Sequence, residues 1–178
     1  NVEIDGNILN HKFTVNLSGY GQIQPVMGDI DNDGTQEIVM GLSPNKIMAV
    51  NGKTGEIEWS VEGSAAAVEL ADLNRDGTPE ILFGMERRGT IGPRIRALRG
   101  NGTTLWTSRQ LGGDNLPLFP ITTADIDGDG YPEIYFLTED TIPDPYSGNI
   151  DDYDGALHIL YHHCNVIRQS WIWHPCWG

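Results

Sequence analysis

One acidic phrase occurs three times along the chain, beginning at Asp29, Asp72 and Asp125. These aspartates lie 43 and 53 residues apart, a spacing typical of a repeated supersecondary unit. Such a unit cannot bury its apolar surface alone, so the chain must fold into similar units that pack on one another. The three copies are GDIDNDGTQEIVMG, ADLNRDGTPEILFG and ADIDGDGYPEIYFL.

The residues around the acidic phrases indicate short strands. Apolar runs follow each phrase, and 22 glycines and 10 prolines punctuate the chain, which favours tight turns over helices. Each repeat predicts a strand, an acidic loop, a strand, a variable connection, a strand, a hairpin and a last strand. The hairpins fall at Asn51-Gly52, at residues 100–102 and, in degenerate form, at residues 162–164. We therefore predict an all-β chain.

Four strands in forty to fifty residues is the size of a β-propeller blade. We predict blades at residues 20–64, 65–113 and 114–174, each with one acidic loop. Residues 1–19 are predicted to end a preceding blade and residues 175–178 to begin a following one, giving about three and a half blades. A closed propeller usually has more blades, so the chain is either part of a larger propeller or completes its sheets with another copy.

The formal net charge of -14 disfavours nucleic acid and anionic membranes as partners, since both require a basic surface. No apolar stretch is long enough for a membrane helix, so membrane insertion is not expected. Eleven of the 25 acidic residues lie in the three repeated phrases. This concentration points to bound cations.

The alternation within the phrases predicts three calcium sites. Carboxylate or amide oxygens at positions 1, 3, 5 and 9 and the carbonyl at position 7 would converge on one ion, and glycine at position 6 permits the bend. An all-oxygen shell suits calcium rather than softer metals. The predicted ligands are Asp29, Asp31, Asp33, Thr35 and Glu37 in loop 1, Asp72, Asn74, Asp76, Thr78 and Glu80 in loop 2, and Asp125, Asp127, Asp129, Tyr131 and Glu133 in loop 3.

An EF-hand loop begins in the same way but needs glutamate at position 12 and flanking helices. Position 12 is Met40, Phe83 or Phe136, each within a run of strand-forming residues, so the EF-hand is rejected.

Over residues 20–174, the loops and the strands that follow resemble FG-GAP or VCBS-type repeats, as in the calcium-binding blades of integrin α-subunit propellers. The resemblance implies a propeller fold, calcium in the loops and an extracellular setting. It does not fix an activity, because similar blades occur in adhesion modules and in some polysaccharide lyases.

Two cysteines, Cys164 and Cys176, could form a disulfide in an extracellular protein. The alternative is a transition-metal cluster that adds three histidines at 162, 163 and 174, although its spacing matches no standard zinc pattern. Sequons at Asn16 and Asn101 predict possible glycosylation.

The segment AVNGKTGEIEW, which ends at Trp59, resembles the tryptophan-docking motif of quinoprotein-type propellers. Packing between blades is the favoured interpretation, and a quinone cofactor site is the alternative. Trp106 follows a similar turn, whereas the third repeat has Arg168 at this place.

The function that these features favour is an extracellular, calcium-stabilised scaffold for adhesion, surface assembly or glycan binding. Its partners would be a protein or glycan at a cell surface, or further copies of itself. The alternative is a carbohydrate-active enzyme, such as a lyase, on the same blades. No catalytic motif surrounds any of the five histidines, so an enzyme is the less favoured class.

Overall fold

A computed structural model describes residues 2–4, 7–9, 12–17, 20–21, 24–43, 46–63, 65–85, 94–108, 121–143, 150–160 and 167–169. These residues form strands and no helix, which confirms the all-β prediction. None of the described segments is a helix that could cross a membrane. The first two strands, β1 (Val2–Ile4) and β2 (Asn7–Leu9), pair as an antiparallel hairpin. Residues 12–17 follow without regular strand structure.

Three antiparallel sheets correspond to the three repeats, and in each an acidic loop precedes the strand that begins with the position-9 glutamate. Sheet 1 contains β3 (Tyr20–Gly21), β4 (Val26–Gly28), β5 (Glu37–Ser43), β6 (Lys46–Asn51) and β7 (Ile57–Glu62). Sheet 2 contains β8 (Ala65–Ala71), β9 (Glu80–Met85), β10 (Arg94–Leu98) and β11 (Thr104–Thr107). Sheet 3 contains β12 (Thr122–Ala124), β13 (Glu133–Pro143), β14 (Ile150–Leu160) and β15 (Ile167–Gln169).

The order of strands within each sheet follows the chain, as the repeat predicts. In sheet 1, β3 and β4 both pair with β5 and together form its outer strand. In the third repeat the predicted variable connection is largely replaced by strand, because β13 and β14 continue as a paired ladder that reaches Pro143 opposite Ile150.

The sheets pack face to face with sheet 2 in the middle. One core cluster joins sheets 1 and 2 and includes Val39, Ile47 and Phe83, all with no exposed surface. The other joins sheets 2 and 3 and includes Leu82 and Phe136. Alternate residues of β9 thus enter opposite cores, because successive side chains of a strand point to opposite faces. Within the described residues the sheets form an open stack, not a closed ring.

Trp59 of sheet 1 contacts the hairpin of sheet 2 through a hydrogen bond and through its ring. Its Nε1 donates a hydrogen bond to the carbonyl of Gly100 at 2.6 Å, and its ring lies where a side chain at Gly102 would otherwise be. Gly100 in turn lies so close to the Ile30 carbonyl that a Cβ atom there would collide with it. The interpretation of Trp59 as a residue that packs between sheets is therefore confirmed.

Residues 12–17 cover the outer face of sheet 1. Phe13 lies against Gly55 in the hairpin of that sheet, as Trp59 lies against Gly102 in the next. Val15 packs on Leu42, Met48 and Val50. The segment therefore covers part of the outer face of sheet 1, although it is not itself a strand.

Candidate metal centres

The three acidic loops share a backbone path that requires two left-handed residues. Position 6 is glycine in each loop, with φ of 84°, 88° and 90° at Gly34, Gly77 and Gly130. Position 4 is also left-handed, with φ of 63° at Asn32, 63° at Arg75 and 78° at Gly128. Glycine and asparagine tolerate this conformation, whereas arginine adopts it at a cost.

Side-chain oxygens accept backbone hydrogen bonds in the same way in all three loops. The position-1 aspartate receives two N–H groups, one from the glycine at position 6, at 2.9 Å in each loop. The residues at positions 3 and 5 each accept from the N–H two residues later. These bonds hold the polar side chains against the backbone of their own loop.

The position-9 glutamate begins the strand after each loop, and its side chain points back toward the start of that loop. One carboxylate oxygen accepts the N–H of the position-2 residue at 3.1 Å from Ile30, 2.9 Å from Leu73 and 3.0 Å from Ile126. All three glutamates are buried, with 0%, 5% and 1% exposure at Glu37, Glu80 and Glu133.

Burial is also the main influence on two of these carboxyl groups. It raises the pKa of Glu37, and the nearby carboxylates of Glu58, Asp31 and Asp33 raise it further, against the lowering effect of the Ile30 hydrogen bond. Burial likewise raises the pKa of Glu80, with Asp76 and Asp72 adding to it. Each charge is therefore costly where it lies unless a cation compensates for it.

Loops 1 and 3 bring carboxylates close enough to share one ion. In loop 1, oxygens of Asp29, Asp31 and Asp33 lie within 4.8 Å of one another, and in loop 3 the same holds for Asp125, Asp127 and Glu133. The Oε1 atoms of Glu37 and Glu133 are buried and have no hydrogen-bond partner. Buried carboxylate oxygens are rarely left without one.

Loop 2 satisfies its carboxylates internally. The side-chain amide of Asn74 donates to Asp76 at 3.0 Å and to Glu80 at 2.8 Å. The amide nitrogen of Asn74 thus lies between two of the carboxylates that the sequence predicts to bind the second calcium ion. Turning the amide oxygen toward an ion would remove these two bonds, and with them the one that the oxygen accepts from Asp76 N–H.

Sequence reasoning did not identify Arg75 as part of this region. Its guanidinium group lies over the ring of Tyr131, 5.2 Å from the centroid, and beside Gly130. Arg75 therefore joins loop 2 to loop 3 and adds a positive charge there. The signal was an arginine at position 4, where the other loops have asparagine or glycine.

The other predicted sites are only partly within the described residues. Asn16 and Asn101 are exposed, and Asn101 Oδ1 accepts hydrogen bonds from the backbone and hydroxyl groups of Thr103. Glycosylation of both stays a prediction. Cys164 and Cys176 lie outside the described residues, as do the neighbouring histidines and residues 175–178.

The comparisons with known proteins do not place the chain in a family. No protein-family model matches it, and no curated protein matches it. Among solved structures, it is similar to the crystal structure of the V. cholerae biofilm matrix protein Bap1, with 21% identity and a TM-score of 0.37. The match covers 78% of this chain and 26% of that protein, so the chain spans about a quarter of its length.

Proposed function

We propose that the chain is a calcium-stabilised module of FG-GAP or VCBS-type propeller blades that serves as an extracellular scaffold for adhesion, surface assembly or glycan binding. The observation that carries this proposal is the pair of buried, unpartnered carboxylate oxygens at Glu37 and Glu133. Glu133 lies with Asp125 and Asp127, and the charges of Asp31 and Asp33 act on Glu37. Uncompensated charge of this kind is costly in a protein interior, and a hard divalent cation removes the cost.

The side chains fit calcium in type and number. Loop 1 would hold the ion through its three aspartates with Glu37, and loop 3 through Asp125, Asp127, Asp129 and Glu133. The position-7 carbonyls of Thr35 and Tyr131 would add neutral oxygens. Loop 2, with Asn74 in place of an aspartate, would be the third and weakest site. Each ion would tie the loop to the strand that the glutamate begins.

The proposed extracellular setting agrees with the calcium affinity that we assign to these loops. Exposed loops in extracellular modules bind calcium with dissociation constants of about 0.1 to 1 mM. At about 0.1 mM, millimolar calcium would stabilise the fold by roughly 1.5 to 2 kcal/mol per site. Cytosolic calcium is too dilute to fill sites of this affinity, so the scaffold would be complete only outside the cell.

Thermal unfolding with calcium, magnesium or excess chelator tests the proposal. We expect calcium to raise the melting temperature by many degrees, and magnesium to act less because it dehydrates reluctantly. Equal melting curves in calcium and chelator would overturn the proposal.

Glu133→Gln gives a sharper test because its effect on stability should depend on whether calcium is present. Without calcium the variant should be more stable than the natural chain, since it removes a buried charge. With calcium it should gain less, since it lacks a charged ligand. Glu56→Gln removes an exposed charge from the hairpin of sheet 1 and is the matched control. It should change neither curve appreciably.

The alternative of a carbohydrate-active enzyme has no specific observation in its favour among the described residues. The scaffold therefore stands as the single proposed function.

A further inference from the structure

The contact between loops 2 and 3 joins two residues that differ in type from their counterparts in the other loops. Position 4 is asparagine in loop 1 and glycine in loop 3, but it is Arg75 in loop 2. Position 7 is threonine in loops 1 and 2, but it is Tyr131 in loop 3. The guanidinium group of Arg75 lies over the Tyr131 ring, 5.2 Å from its centroid. The two departures from the repeat therefore form one contact between neighbouring loops.

Arg75 has a backbone conformation that its residue type does not favour. Its φ of 63° is left-handed, and the asparagine and glycine at position 4 of the other loops adopt this conformation at lower cost. A strained residue persists where the surrounding structure holds it, and such residues cluster at functional sites. The contact that compensates for the strain is the one that the Arg75 side chain makes with loop 3.

The same guanidinium group covers the position-6 glycine of loop 3. A Cβ atom at Gly130 would lie 2.5 Å from Nη1 of Arg75, so the group packs directly on the glycine backbone. The corresponding glycines of loops 1 and 2, Gly34 and Gly77, have open space at this point. Within the described residues, loop 3 is therefore the acidic loop whose bend is supported by a neighbouring loop.

Loop 3 also has the greatest need for such support. Glycine occupies both of its left-handed positions, Gly128 and Gly130, whereas loops 1 and 2 have glycine at one of the two. Glycine loses more conformational freedom than other residues when its backbone is fixed, so loop 3 is the least constrained of the three by its own sequence. In addition, residues 124–129 are all exposed.

Arg75 packs on the two residues that orient carboxylates of loop 3. The N–H groups of Gly130 and Tyr131 donate to Asp125 and Asp129, at 2.9 Å in each case. The Tyr131 carbonyl is also the position-7 oxygen of the predicted calcium site. Holding these two residues in place organises the ligands before an ion arrives, so that binding loses less conformational entropy.

The positive charge of Arg75 acts in the opposite direction, because it repels a cation. The side chain is exposed, so solvent and salt weaken this repulsion. We therefore expect the organisation of loop 3 to outweigh it. The two effects predict opposite changes in calcium affinity when Arg75 is replaced, and an experiment can tell them apart.

We infer that Arg75 is a positioning residue for the calcium site of loop 3. Through this side chain, loop 2 supplies the support that the glycine-rich backbone of loop 3 lacks. The inference rests on the proposed function, because it concerns the affinity of one of the proposed calcium sites.

Hydrogen exchange of the full chain, followed by mass spectrometry across a calcium titration, tests this role. Protection of β13 reports on loop 3 and protection of β5 reports on loop 1, so one titration gives both affinities. Arg75→Asn introduces the position-4 residue of loop 1, which tolerates the left-handed backbone. We expect it to raise the calcium concentration for half-protection of β13 about 2- to 5-fold, the effect of losing an exposed cation–π contact. The midpoint for β5 should not change.

Tyr131→Thr tests the contact from the other side, since it introduces the position-7 residue of loops 1 and 2 and keeps the carbonyl. It should also raise the β13 midpoint. The double variant should raise it no further than the larger single effect, because both substitutions remove the same contact. Lys53→Asn removes an exposed positive charge from the hairpin of sheet 1 and is the control. It should change neither midpoint.

A β13 midpoint that stays unchanged in Arg75→Asn would overturn the inference and reduce the contact to packing between sheets. A midpoint that falls would overturn it by showing that repulsion dominates, and strictly additive shifts in the double variant would also contradict it. Each of these results would leave the proposed calcium sites standing. Absence of calcium-dependent protection in the natural chain would instead reject the proposed function, and this inference with it.

Discussion

Asn74 is the residue that most clearly distinguishes loop 2 from the other two loops. Its amide satisfies Asp76 and Glu80 through hydrogen bonds, whereas the corresponding glutamates of loops 1 and 3 keep a buried oxygen without a partner. The three loops share one backbone path, but a cation would neutralise an unpartnered buried carboxylate oxygen in loops 1 and 3 and not in loop 2. Calcium occupancy should begin at loops 1 and 3.

Asn74→Asp should strengthen calcium binding at loop 2. The substitution replaces an amide that competes with the ion by a charged ligand, and affinity in such loops rises with ligand charge. We expect a gain of about 3- to 10-fold at that site, measured by isothermal titration calorimetry. Asn101→Asp adds the same charge to an exposed hairpin and should not change the titration. An equal effect of both substitutions would indicate a general charge effect.

Gly100→Ala tests the close approach between sheets 1 and 2. An added Cβ would collide with the backbone carbonyl of Ile30, which cannot move without displacing loop 1. We expect a loss of about 3 kcal/mol or more in the free energy of unfolding, measured with denaturant. Gly28→Ala is the control, because its Cβ would be crowded by the movable Leu70 side chain, at 2.8 Å, and would meet Pro79 at an ordinary contact distance of 3.9 Å. Similar losses in both variants would contradict this account.

Glu69→Gln should stabilise the chain at neutral pH. Burial raises the pKa of Glu69 above its ordinary value of 4.5. The folded state therefore holds this proton more tightly, and stability falls as pH rises through the window between the two values. The variant should be more stable than the natural chain at pH 7, and the difference should disappear below pH 4.5. Denaturant unfolding at both pH values checks this, and a difference independent of pH would contradict it.

At the level of elements, each sheet depends on contacts that its own strands cannot make. In the hairpin after β10, Gly102 contacts Trp59 of sheet 1 and Gly100 contacts the Ile30 carbonyl of loop 1. The hairpin after β6 receives Phe13 in the same way. Hairpin glycines here therefore serve inter-sheet packing as well as turn formation.

Trp59→Phe should weaken the junction between sheets 1 and 2. The variant keeps an aromatic ring against Gly102 but loses the hydrogen bond to Gly100 and leaves that carbonyl without its indole donor. We expect a loss of about 1 to 3 kcal/mol in the free energy of unfolding. Trp59→Ala should cost more, because it also leaves a cavity. A neutral Trp59→Phe substitution would show that the hydrogen bond contributes little.

The three sheets could be predicted from the sequence because the same residues recur at the same positions of each repeat. Position-6 glycines and position-9 glutamates fix where each loop turns and where the next strand begins, so strand order followed directly. The long ladder of β13 and β14 could not be predicted, because acidic residues and prolines in that stretch are typical of loops. The hydrogen bonds of Asn74 and the contact of Arg75 with Tyr131 depend on side-chain packing, which the spacing of motifs in the sequence does not specify.

At the scale of the whole molecule, the stack is asymmetric in how its sheets are covered. Among the described residues, sheet 2 is packed on both faces and contributes to two cores, whereas sheet 3 is packed on one face. Repeat proteins of this kind gain stability from the interfaces between neighbouring units as much as from the units themselves. Local opening should therefore be easiest at sheet 3 and hardest in the middle.

Amide hydrogen exchange followed by mass spectrometry can measure this gradient. We expect the slowest exchange in β9 and β10, where Ile81, Leu82 and Ile95 are completely buried, and faster exchange in β13. Chelation should speed exchange in the strands that follow loops 1 and 3 more than in β9, since loop 2 holds its shape through Asn74. Uniform exchange across the three sheets would mean that they unfold as one cooperative unit. In that case the interfaces would be strong enough to remove any difference between a sheet packed on two faces and a sheet packed on one.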